Sequence, residues 1–538
     1  MHKLYLSSIL AATISISLLS GCSGDGDDGA AGVAGAAGAN GSDGQDATAG
    51  DSILTTSGFA FPSDAIFIAP DAVDGDNITD DINLAIFNAF TGGDTDATFV
   101  LPKGSFVVDD TVTITNGDGL TLTGYGINET KLDFTTATSA DDAFRFEGGT
   151  DLTIRDFGVY EAKKNGIKIV GANGVHIAYS ATVWEGELDE SNGAYGLYPL
   201  NSTNILIEDS YARGSADAGI YVGQSSNIVV RRNVAKENVA GIEIENSFNA
   251  DVYDNLAVGN TGGILTFDLP GLTQAFGGNV RLFDNVLYAN NAENFAGGGA
   301  VSIVPPGTGI LIFATSNVEV YNNRMTDNET SAIEIASYFL SDDDVANYVV
   351  GDGSGNYEAT MVNGWSPLVK NIYLHDNTVQ RSGADPRGSL ITDIVNGYTL
   401  MKGEMMPAVL YGGIGQVLDD VGAIAGFGLI PVSDSATTKA AAANVDLSYD
   451  GYTAGEQICA SNNFNANSAA DTMEFTDVNI GQVYTADPST PDLASDTLQG
   501  NTTLLSCTQP RLSAAEVTFK GKVYGCTGDD LVAPSCSL

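Results

Sequence analysis

The feature that most constrains this chain is a seven-residue frame that recurs six times and begins with asparagine in every copy. The second and fourth residues of each copy are apolar, which is typical of a short strand with one buried face. All copies but the first also end in asparagine. The copies occupy residues 204–210, 227–233, 249–255, 279–285, 317–323 and 371–377.

The spacing of the frames predicts a solenoid. Neighbouring copies are separated by about 22 residues or by larger steps that contain insertions, and a repeat of 20 to 50 residues marks stacked units. A unit of about 22 residues is too short for a strand–helix–strand motif of about 30 residues. We therefore expect coils of short parallel strands in which equivalent residues form ladders. The expected ladders are the apolar set Ile207, Val230, Val252, Leu282, Val320 and Leu374, the turn set Asn204, Asn227, Asn249, Asn279, Asn317 and Asn371, and a second set, Asn238, Asn260, Asn290 and Asn328.

The beginning of the chain predicts export. Residues 1–21 read as a signal peptide, with Lys3 ahead of a mainly apolar run. Leu19-Ser-Gly-Cys22 resembles a bacterial lipobox, which implies lipidation of Cys22 and, with Ser23 next, an address at the outer membrane or cell surface of a Gram-negative bacterium. No later run is long and apolar enough to span a bilayer, so we expect an anchored protein.

Residues 22–57 are expected to form a linker. Glycine occupies every third position from Gly26 to Gly44, which is the collagen spacing, but no proline lies between residues 24 and 50. A flexible Gly-rich spacer is favoured over a trimerising stalk.

The remaining chain divides into three regions. In residues 58–118, apolar residues at helical spacing (Ile82, Ala85, Ile86, Ala89 and Phe90) precede a short strand. This order resembles the start of pectate-lyase-like and polygalacturonase-like β-helix proteins and implies an amino-terminal cap. Residues 119–465 are expected to form the solenoid, and residues 466–538 a region that covers its carboxy-terminal end.

The cysteines predict disulfide bonds. If Cys22 is lipidated, four cysteines remain in an exported chain, and an even number favours two disulfides. Three pairings are possible, of which we favour Cys459–Cys507 and Cys526–Cys536. A zinc site is the alternative.

The charge balance excludes one class of partner. The chain has 22 Lys and Arg against 68 Asp and Glu, a net charge of −46. Nucleic acids and anionic lipid surfaces require basic residues, so we expect no nucleic-acid partner.

One strand of the repeat has the side chains for a polysaccharide site. After the inward-facing residues Ile167, Leu197, Ile220, Ile242 and Ile264, the next residues along the chain should face outward: Lys168, Tyr198, Tyr221, Glu243 and Leu265. A second outward column holds Leu200, Glu245 and Phe267, and the turn holds Asn201, Gln224, Asn246 and Asp268. Tyrosine, carboxylate and lysine side chains suit sugar binding, calcium binding and proton transfer.

We assign roles to these residues as hypotheses. Catalytic candidates are Lys168, Tyr198, Tyr221 and Glu243; calcium ligands are Glu243, Glu245 and Asp268; substrate-binding residues are Tyr198, Tyr221, Gln224, Asn246 and Phe267. In a lyase, Lys168 or Tyr221 would be the base. In a hydrolase, Glu243 and Asp268 would be the carboxylate pair. His176 is expected to be a surface residue on another face.

The region from about 119 to 465 resembles the bacterial right-handed parallel β-helix repeat proteins of the pectate-lyase-like superfamily, in particular exported lipoproteins of Gram-negative bacteria. The asparagine frames, Gly241-Ile-Glu-Ile-Glu-Asn246 and Gly263-Ile-Leu-Thr-Phe-Asp-Leu-Pro-Gly271 carry the resemblance. It implies an all-β, single-stranded parallel β-helix and a lipid-anchored monomer that acts on an acidic polysaccharide with calcium, as a lyase, hydrolase or epimerase. The alternative is a non-catalytic surface scaffold that docks a partner lipoprotein.

Overall fold

The structure is a computed structural model, and it describes residues 55–137, 141–342, 345–348, 353–388, 391, 408–411, 458–465, 475–477, 507–526 and 536. The expected signal peptide, Cys22 and most of the Gly-rich linker lie outside these residues. Among the described residues, no helix has the length and apolar character needed to cross a membrane.

The described strands form three parallel stacks, one strand of each stack per coil. Stack 1 contains Val112–Thr115, Asp142–Glu147, Asn165–Val170, Tyr195–Leu200, Ala218–Gly223, Ala240–Glu245, Gly262–Phe267, Thr308–Phe313, Ser331–Ala336, Val409–Tyr411 and Phe475–Asp477. Stack 2 contains Ile66–Phe67, Thr98–Val100, Thr121–Thr123, Thr203–Glu208, Ser226–Arg231, Phe248–Tyr253, Gly278–Phe283, Val318–Tyr321, Ile372–His375 and Ile458–Ser461. Stack 3 contains Gly104–Val107, Thr130–Asp133, Tyr211–Arg213, Val234–Lys236, Leu256–Val258, Val286–Tyr288, Arg324–Thr326, Thr378–Gln380 and Phe464–Asn465. The long strands Thr150–Tyr160 and Asn173–Val183 run through both stack 2 and stack 3.

The interior of the coils is a continuous apolar column, as the sequence predicts. Ile207 pairs with Val230, Val230 with Val252, Val252 with Leu282, and the register continues to Leu374. All of these side chains are buried in one core cluster. Each coil therefore covers the apolar face of the next, and the predicted parallel β-helix is confirmed.

Asparagine ladders fix the turns. Six asparagines are buried in one ladder, and the amide nitrogen of each of the first five donates to the amide oxygen of the next at 2.9–3.0 Å: Asn233, Asn255, Asn285, Asn323, Asn377 and Asn463. The predicted second set, Asn238, Asn260, Asn290 and Asn328, is linked in the same way. In the outer turn set, amide bonds connect Asn227, Asn249 and Asn279, and connect Asn317 with Asn371, whereas Asn204 bonds to Asn173.

The amino-terminal cap is built around one helix. Helix α1, Thr79–Gly92, buries Ile82, Ile86 and Ala89 and ends at Gly93 in the left-handed conformation. Parallel pairing already joins Ile66–Phe67 to Thr98–Val100, and Thr98–Val100 to Thr121–Thr123. Coiling therefore begins before the predicted boundary at residue 119, because these early strands pair like later ones although they lack the asparagine frame.

The described part of the tail lies along a flank of the solenoid. The antiparallel hairpin Glu516–Phe519 and Lys522–Gly525 buries Val517 and Phe519 against the outer face of stack 2. It covers His176, which bonds to Glu208 at 2.9 Å and packs on the Phe519 ring. His176 is thus half-buried beneath the hairpin rather than on the surface, and residues 516–525 lie against the apolar stripe on the outer face of stack 2.

The disulfides Cys459–Cys507 and Cys526–Cys536 are present as predicted. The first ties the tail to a stack 2 strand, and the second lies beside the hairpin.

Insertions between coils cover part of the outer face of stack 1. They include three short 3₁₀ helices, Ala300–Ile303, Tyr338–Leu340 and Val345–Tyr348, and helix α2, Glu358–Val362. Val301 and Val304 pack on Leu265 and Leu311 in a second apolar cluster outside the coils. The outer face of stack 1 is therefore covered along its later coils.

Candidate functional site

Strand alternation brings titratable residues together on the outer face of stack 1. Ile242 and Ile244 point into the core, so Glu243 and Glu245 point outward from the same strand. Tyr221 is the register partner of Glu243, and Tyr198 that of Lys168. The group formed here is called the carboxylate–tyrosine cluster: Tyr195, Tyr198, Asp217, Tyr221, Glu243 and Glu245.

Three tyrosine rings pack against one another in the cluster. The ring centroid of Tyr195 lies 4.4 Å from that of Tyr198 and 4.7 Å from that of Tyr221. Tyr198 and Tyr221 are 5.0 Å apart. Tyr195 and Tyr198 remain half-buried, whereas Tyr221 is 3% exposed. The tyrosine rings therefore form a partly exposed aromatic surface on the side of the cluster that faces the amino-terminal coils.

The Tyr221 hydroxyl reaches the next coil along the chain and donates a hydrogen bond to Glu245 Oε1 at 2.5 Å. Gly223 is the register partner of Glu245 and lies beneath this side chain. A Cβ at Gly223 would stand 2.1 Å from the hydroxyl oxygen. Glycine is therefore required at this position for the contact to form.

The carboxylates of the cluster are held toward their neutral forms. Burial, followed by the charges of Asp217 and Glu245, raises the pKa of Glu243 well above its usual range. Burial raises the pKa of Glu245 to about 6 and that of Asp217 to about 7. Glu243 Oε2 and Asp217 Oδ1 find no hydrogen-bond partner among the described residues. The raised pKa thus favours the protonated form of Glu243, which lies beside two groups that titrate near neutrality.

The tyrosines of the cluster stay protonated. Burial and the neighbouring carboxylates raise the pKa of Tyr198 to about 12 and the pKa values of Tyr195 and Tyr221 further still. Tyr198 and Tyr221, predicted as catalytic residues, therefore serve as hydrogen-bond donors and ring surfaces, and Tyr221 is unsuited to act as a base.

Lys168 lies at the edge of the cluster nearest the amino-terminal coils. Its ammonium group is 5.2 Å from the centroid of the Tyr198 ring and 3.8 Å from Asp142 Oδ2. The structure thus brings the predicted residue next to Tyr198 but pairs it with Asp142.

Gln224 and Asn246, predicted to bind substrate, hold a loop instead. The Asn246 amide donates to Leu269 O at 2.8 Å and accepts from Leu269 N. Gln224 Oε1 accepts from Gln274 N at 3.2 Å. The loop that follows Phe267 thus folds back over this turn, where it engages the Asn246 amide and the Gln224 oxygen, while Gln224 remains half-buried.

Phe267 is also unavailable to a ligand. It is fully buried and packs edge-on against Phe313 at 5.5 Å. The sequence pattern correctly places it outward from the coil, but the insertion that covers this face turns it into part of an apolar cluster.

The predicted calcium ligands do not form a suitable site. Asp268 Oδ1 accepts from Gly277 N, Glu245 Oε1 from Tyr221, and Glu243 is held neutral. No three acidic, histidine or cysteine side chains converge for a metal ion in the part of the chain that the structure describes. No step through calcium is therefore derived.

The sequence interpretation missed Tyr195 and Asp217. Both lie just before the glycine from which the repeated strands were aligned, so neither falls in an outward column. Asp217 ends a four-residue turn from stack 3, and its side chain reaches the cluster through a hydrogen bond from Tyr195. A tyrosine at the first position of one strand and an acidic residue directly before the next strand of the stack were the available signal.

Comparison with known proteins agrees with the fold. Residues 111–273 match the family described as right-handed beta helix region, in line with the predicted hand of the coil. No curated protein matches the sequence.

Solved structures with a similar fold come from several kinds of protein. The A-module of mannuronan C-5 epimerase from Azotobacter vinelandii is 15% identical, with a TM-score of 0.39, over 64% of this chain and 89% of that chain. The catalytic unit of the GH87 α-1,3-glucanase from Streptomyces thermodiastaticus is 13% identical, with a TM-score of 0.37, over 66% and 62%. The Dettilon tailspike protein is 15% identical, with a TM-score of 0.33, over 61% and 63%.

Proposed function

We propose that the protein binds a polysaccharide on the outer face of stack 1 and cleaves it by acid–base chemistry at the carboxylate–tyrosine cluster. One observation carries the proposal: Glu243 is a buried carboxyl group with a raised pKa and an oxygen that lacks a partner among the described residues, and two further carboxylates lie beside it. All three pKa values are raised, that of Glu243 well above its usual range and those of Glu245 and Asp217 to about 6 and about 7, and such perturbed groups favour acid and base roles over a packing role.

The roles follow from the protonation states. Glu243 donates its proton to the glycosidic oxygen as the bond from the anomeric carbon to that oxygen breaks. Glu245 or Asp217, when ionised, takes a proton from the water whose oxygen adds to the anomeric carbon. Strand geometry places the Cα atoms of Glu243 and Glu245 about 6.6 Å apart on one face. For hydrolysis, Glu243 with Glu245 or Asp217 is thus favoured over the pair Glu243 and Asp268 suggested by the sequence alone.

The tyrosines supply the binding surface. Tyr195 and Tyr198 combine a half-buried ring with a hydroxyl donor, and such amphipathic side chains suit the apolar face and hydroxyl rim of a sugar. Proton abstraction from a uronate, as in a lyase or an epimerase, needs a base. The raised pKa values of Tyr195, Tyr198 and Tyr221 make these tyrosines poor bases.

The test uses the full-length chain and a panel of neutral and acidic polysaccharides, which includes mannuronan and an α-1,3-glucan. Reducing ends, unsaturated uronate and epimerised residues are measured together, with and without calcium. We expect reducing ends from one polymer class and a loss of about 10²-fold or more in Glu243→Gln. Glu334→Gln is the control, because Glu334 is a buried acid on the same outer face that bonds to Ser331 and Thr308.

Activity of Glu243→Gln equal to that of the native chain would overturn the proposed role of Glu243. Unsaturated or epimerised product without new reducing ends would replace hydrolysis by lyase or epimerase chemistry. A strict need for calcium would revive a metal-assisted mechanism at residues other than the three predicted ligands.

A second candidate is a non-catalytic scaffold. Glu243 and Tyr221 are only 2% and 3% exposed, and the insertion after Phe267 uses Asn246 for its own support. These contacts favour a packed face that binds without chemistry. Binding of a polymer without any product would support the scaffold.

We also propose that the chain is attached to a membrane through lipid on Cys22, on the strength of the lipobox resemblance at Leu19-Ser-Gly-Cys22. Cells that express the native chain should incorporate labelled fatty acid into it, and Cys22→Ser should abolish the label. A native chain without label would overturn this anchoring.

A further inference from the structure

A recess on the outer face of stack 3 has no role in the chemistry above. Its floor is formed by Ala181 and Val183, and Lys131, Tyr160, Tyr211 and Arg213 line its sides. The recess belongs to the same coils as the amino-terminal part of the carboxylate–tyrosine cluster but lies on a different face of the solenoid.

The register of the coils explains why a recess forms here. Lys131 pairs with Gly158, Gly158 with Ala181, and Ala181 with Tyr211. Two small residues therefore separate two long side chains in one column, over three coil steps of about 4.8 Å each. Tyr160 leans over Gly158, where a Cβ would lie 2.8 Å from its ring. The small residues create the space that the long ones enclose.

Two basic residues, Lys131 and Arg213, line this recess although the chain as a whole is strongly acidic. With 22 basic residues against 68 acidic ones, most of the surface repels anions. Lys131 Nζ lies 5.3 Å from the centroid of the Tyr160 ring and makes no ion pair with a described residue. Its charge is therefore available to a ligand.

Arg213 is held in place with donors to spare. Its Nε donates to Glu237 at 2.7 Å, and its other nitrogens donate to Trp184 O at 2.7 Å and Gly186 O at 3.5 Å. A guanidinium group has five N–H donors, so two remain without a partner among the described residues. Such a fixed guanidinium group suits a carboxylate, which accepts two parallel hydrogen bonds.

The two tyrosines complete a surface for a sugar ring. Tyr160 and Tyr211 are half-buried, and neither hydroxyl forms a hydrogen bond with a described residue. Glu185 lies at the rim, where it is exposed and screened by solvent. Two rings with their hydroxyl groups, the Lys131 ammonium group and the oriented guanidinium group of Arg213 in one recess match a sugar that carries a carboxylate.

We propose that this recess is a subsite for an acidic sugar residue, a hexuronate, of a polysaccharide that continues into the carboxylate–tyrosine cluster. The proposal deepens the proposed function and rests on it for the polymer. The path is short: Asp217 lies four positions after Arg213 in the sequence, a span of at most about 14 Å. An acidic sugar bound at the recess would set which stretch of polymer reaches the cluster.

The test is calorimetric binding of short oligouronates to the full-length chain, with neutral oligosaccharides of equal length as reference ligands. We expect Lys131→Gln and Tyr211→Ala each to weaken oligouronate binding about tenfold or more. The control variants are Lys163→Gln, which alters an exposed lysine, and Tyr288→Ala, which alters a tyrosine on the outer face of stack 3 in a later coil. Circular dichroism confirms that each variant is folded.

The outcomes separate the two proposals. Unchanged binding in both Lys131→Gln and Tyr211→Ala would overturn the subsite even if Glu243→Gln abolishes cleavage. Equal binding of neutral and acidic ligands would overturn its selectivity for acidic sugars. Weakened oligouronate binding in both variants, without any cleavage by the native chain, would support the subsite and overturn the catalytic proposal alone.

Discussion

The Tyr221 hydroxyl donates a hydrogen bond to Glu245 across two adjacent coils and so links the aromatic and acidic halves of the cluster. The bond stabilises the ionised form of Glu245, which opposes the effect of burial on its pKa. A tyrosine on one coil thereby tunes a carboxylate on the next.

Removal of that hydroxyl should shift the titration of Glu245. In Tyr221→Phe, the ring remains but the stabilising bond is lost, so the pKa of Glu245 should rise above about 6. The acidic limb of the cleavage profile should move to higher pH if Glu245 acts as the base. Carbon NMR of labelled glutamate gives the pKa without any substrate. Tyr288→Phe is the control, and an unshifted Glu245 would contradict the tuning.

The cluster should make stability depend on pH in one direction. The folded-state pKa values of Asp217, Glu243 and Glu245 are raised, so the native state binds more protons than the unfolded state between about pH 4 and pH 7. Stability contributed by these groups is therefore lost as the pH rises through this window.

Glu243→Gln should reduce that loss. Its urea midpoint should fall less between pH 5 and pH 8 than the midpoint of the native chain. Glu190→Gln, which alters an exposed glutamate, should leave the native pH dependence unchanged. Parallel pH curves for the native chain and Glu243→Gln would show that Glu243 ionises normally.

The buried asparagine ladder should carry substantial stability. Asn255→Ala removes bonds to Val230 O and Asn285 Oδ1 and leaves the Asn233 amide without its acceptor. A buried donor or acceptor without a partner costs about 1–3 kcal/mol, so we expect a loss of about 3 kcal/mol. Asn249→Gly, in the half-buried outer ladder, should cost less than about 1 kcal/mol. Equal losses in urea unfolding would contradict this difference.

The buried face of the tail hairpin should be what holds it against stack 2. Val517 is buried against stack 2, whereas Thr518 on the same strand is exposed. Val517→Asp should release the hairpin, expose Leu206 and Val229, and increase the binding of an apolar dye. Thr518→Asp is the matched control and should behave as the native chain. Dye binding that does not change in Val517→Asp would show that the hairpin is held by other contacts.

The repeat could be predicted from the sequence because its cause is local. The alternation Ile242-Glu243-Ile244 fixes which side chains enter the core, and buried asparagines at constant positions fix the turns. These rules hold within each coil and need no knowledge of distant residues.

The accessibility of the outer face could not be predicted in the same way. Asn246 and Phe267 face outward as expected, yet segments inserted after later strands cover them. Glu243 and Tyr221 became a buried pair for the same reason, which turned two ordinary polar positions into groups with raised pKa values. Contacts between insertions and remote coils leave no periodic signal in the sequence.

The most direct test of the account is the protonation state of Glu243 at neutral pH. Infrared difference spectra between the native chain and Glu243→Gln report the carbonyl stretch of a protonated carboxyl group, which an ionised carboxylate lacks. We predict that the native chain shows this band at pH 7 and that the variant loses it. A native spectrum without the band at pH 7 would mean that Glu243 is ionised, and it would remove the acid on which the proposed cleavage depends.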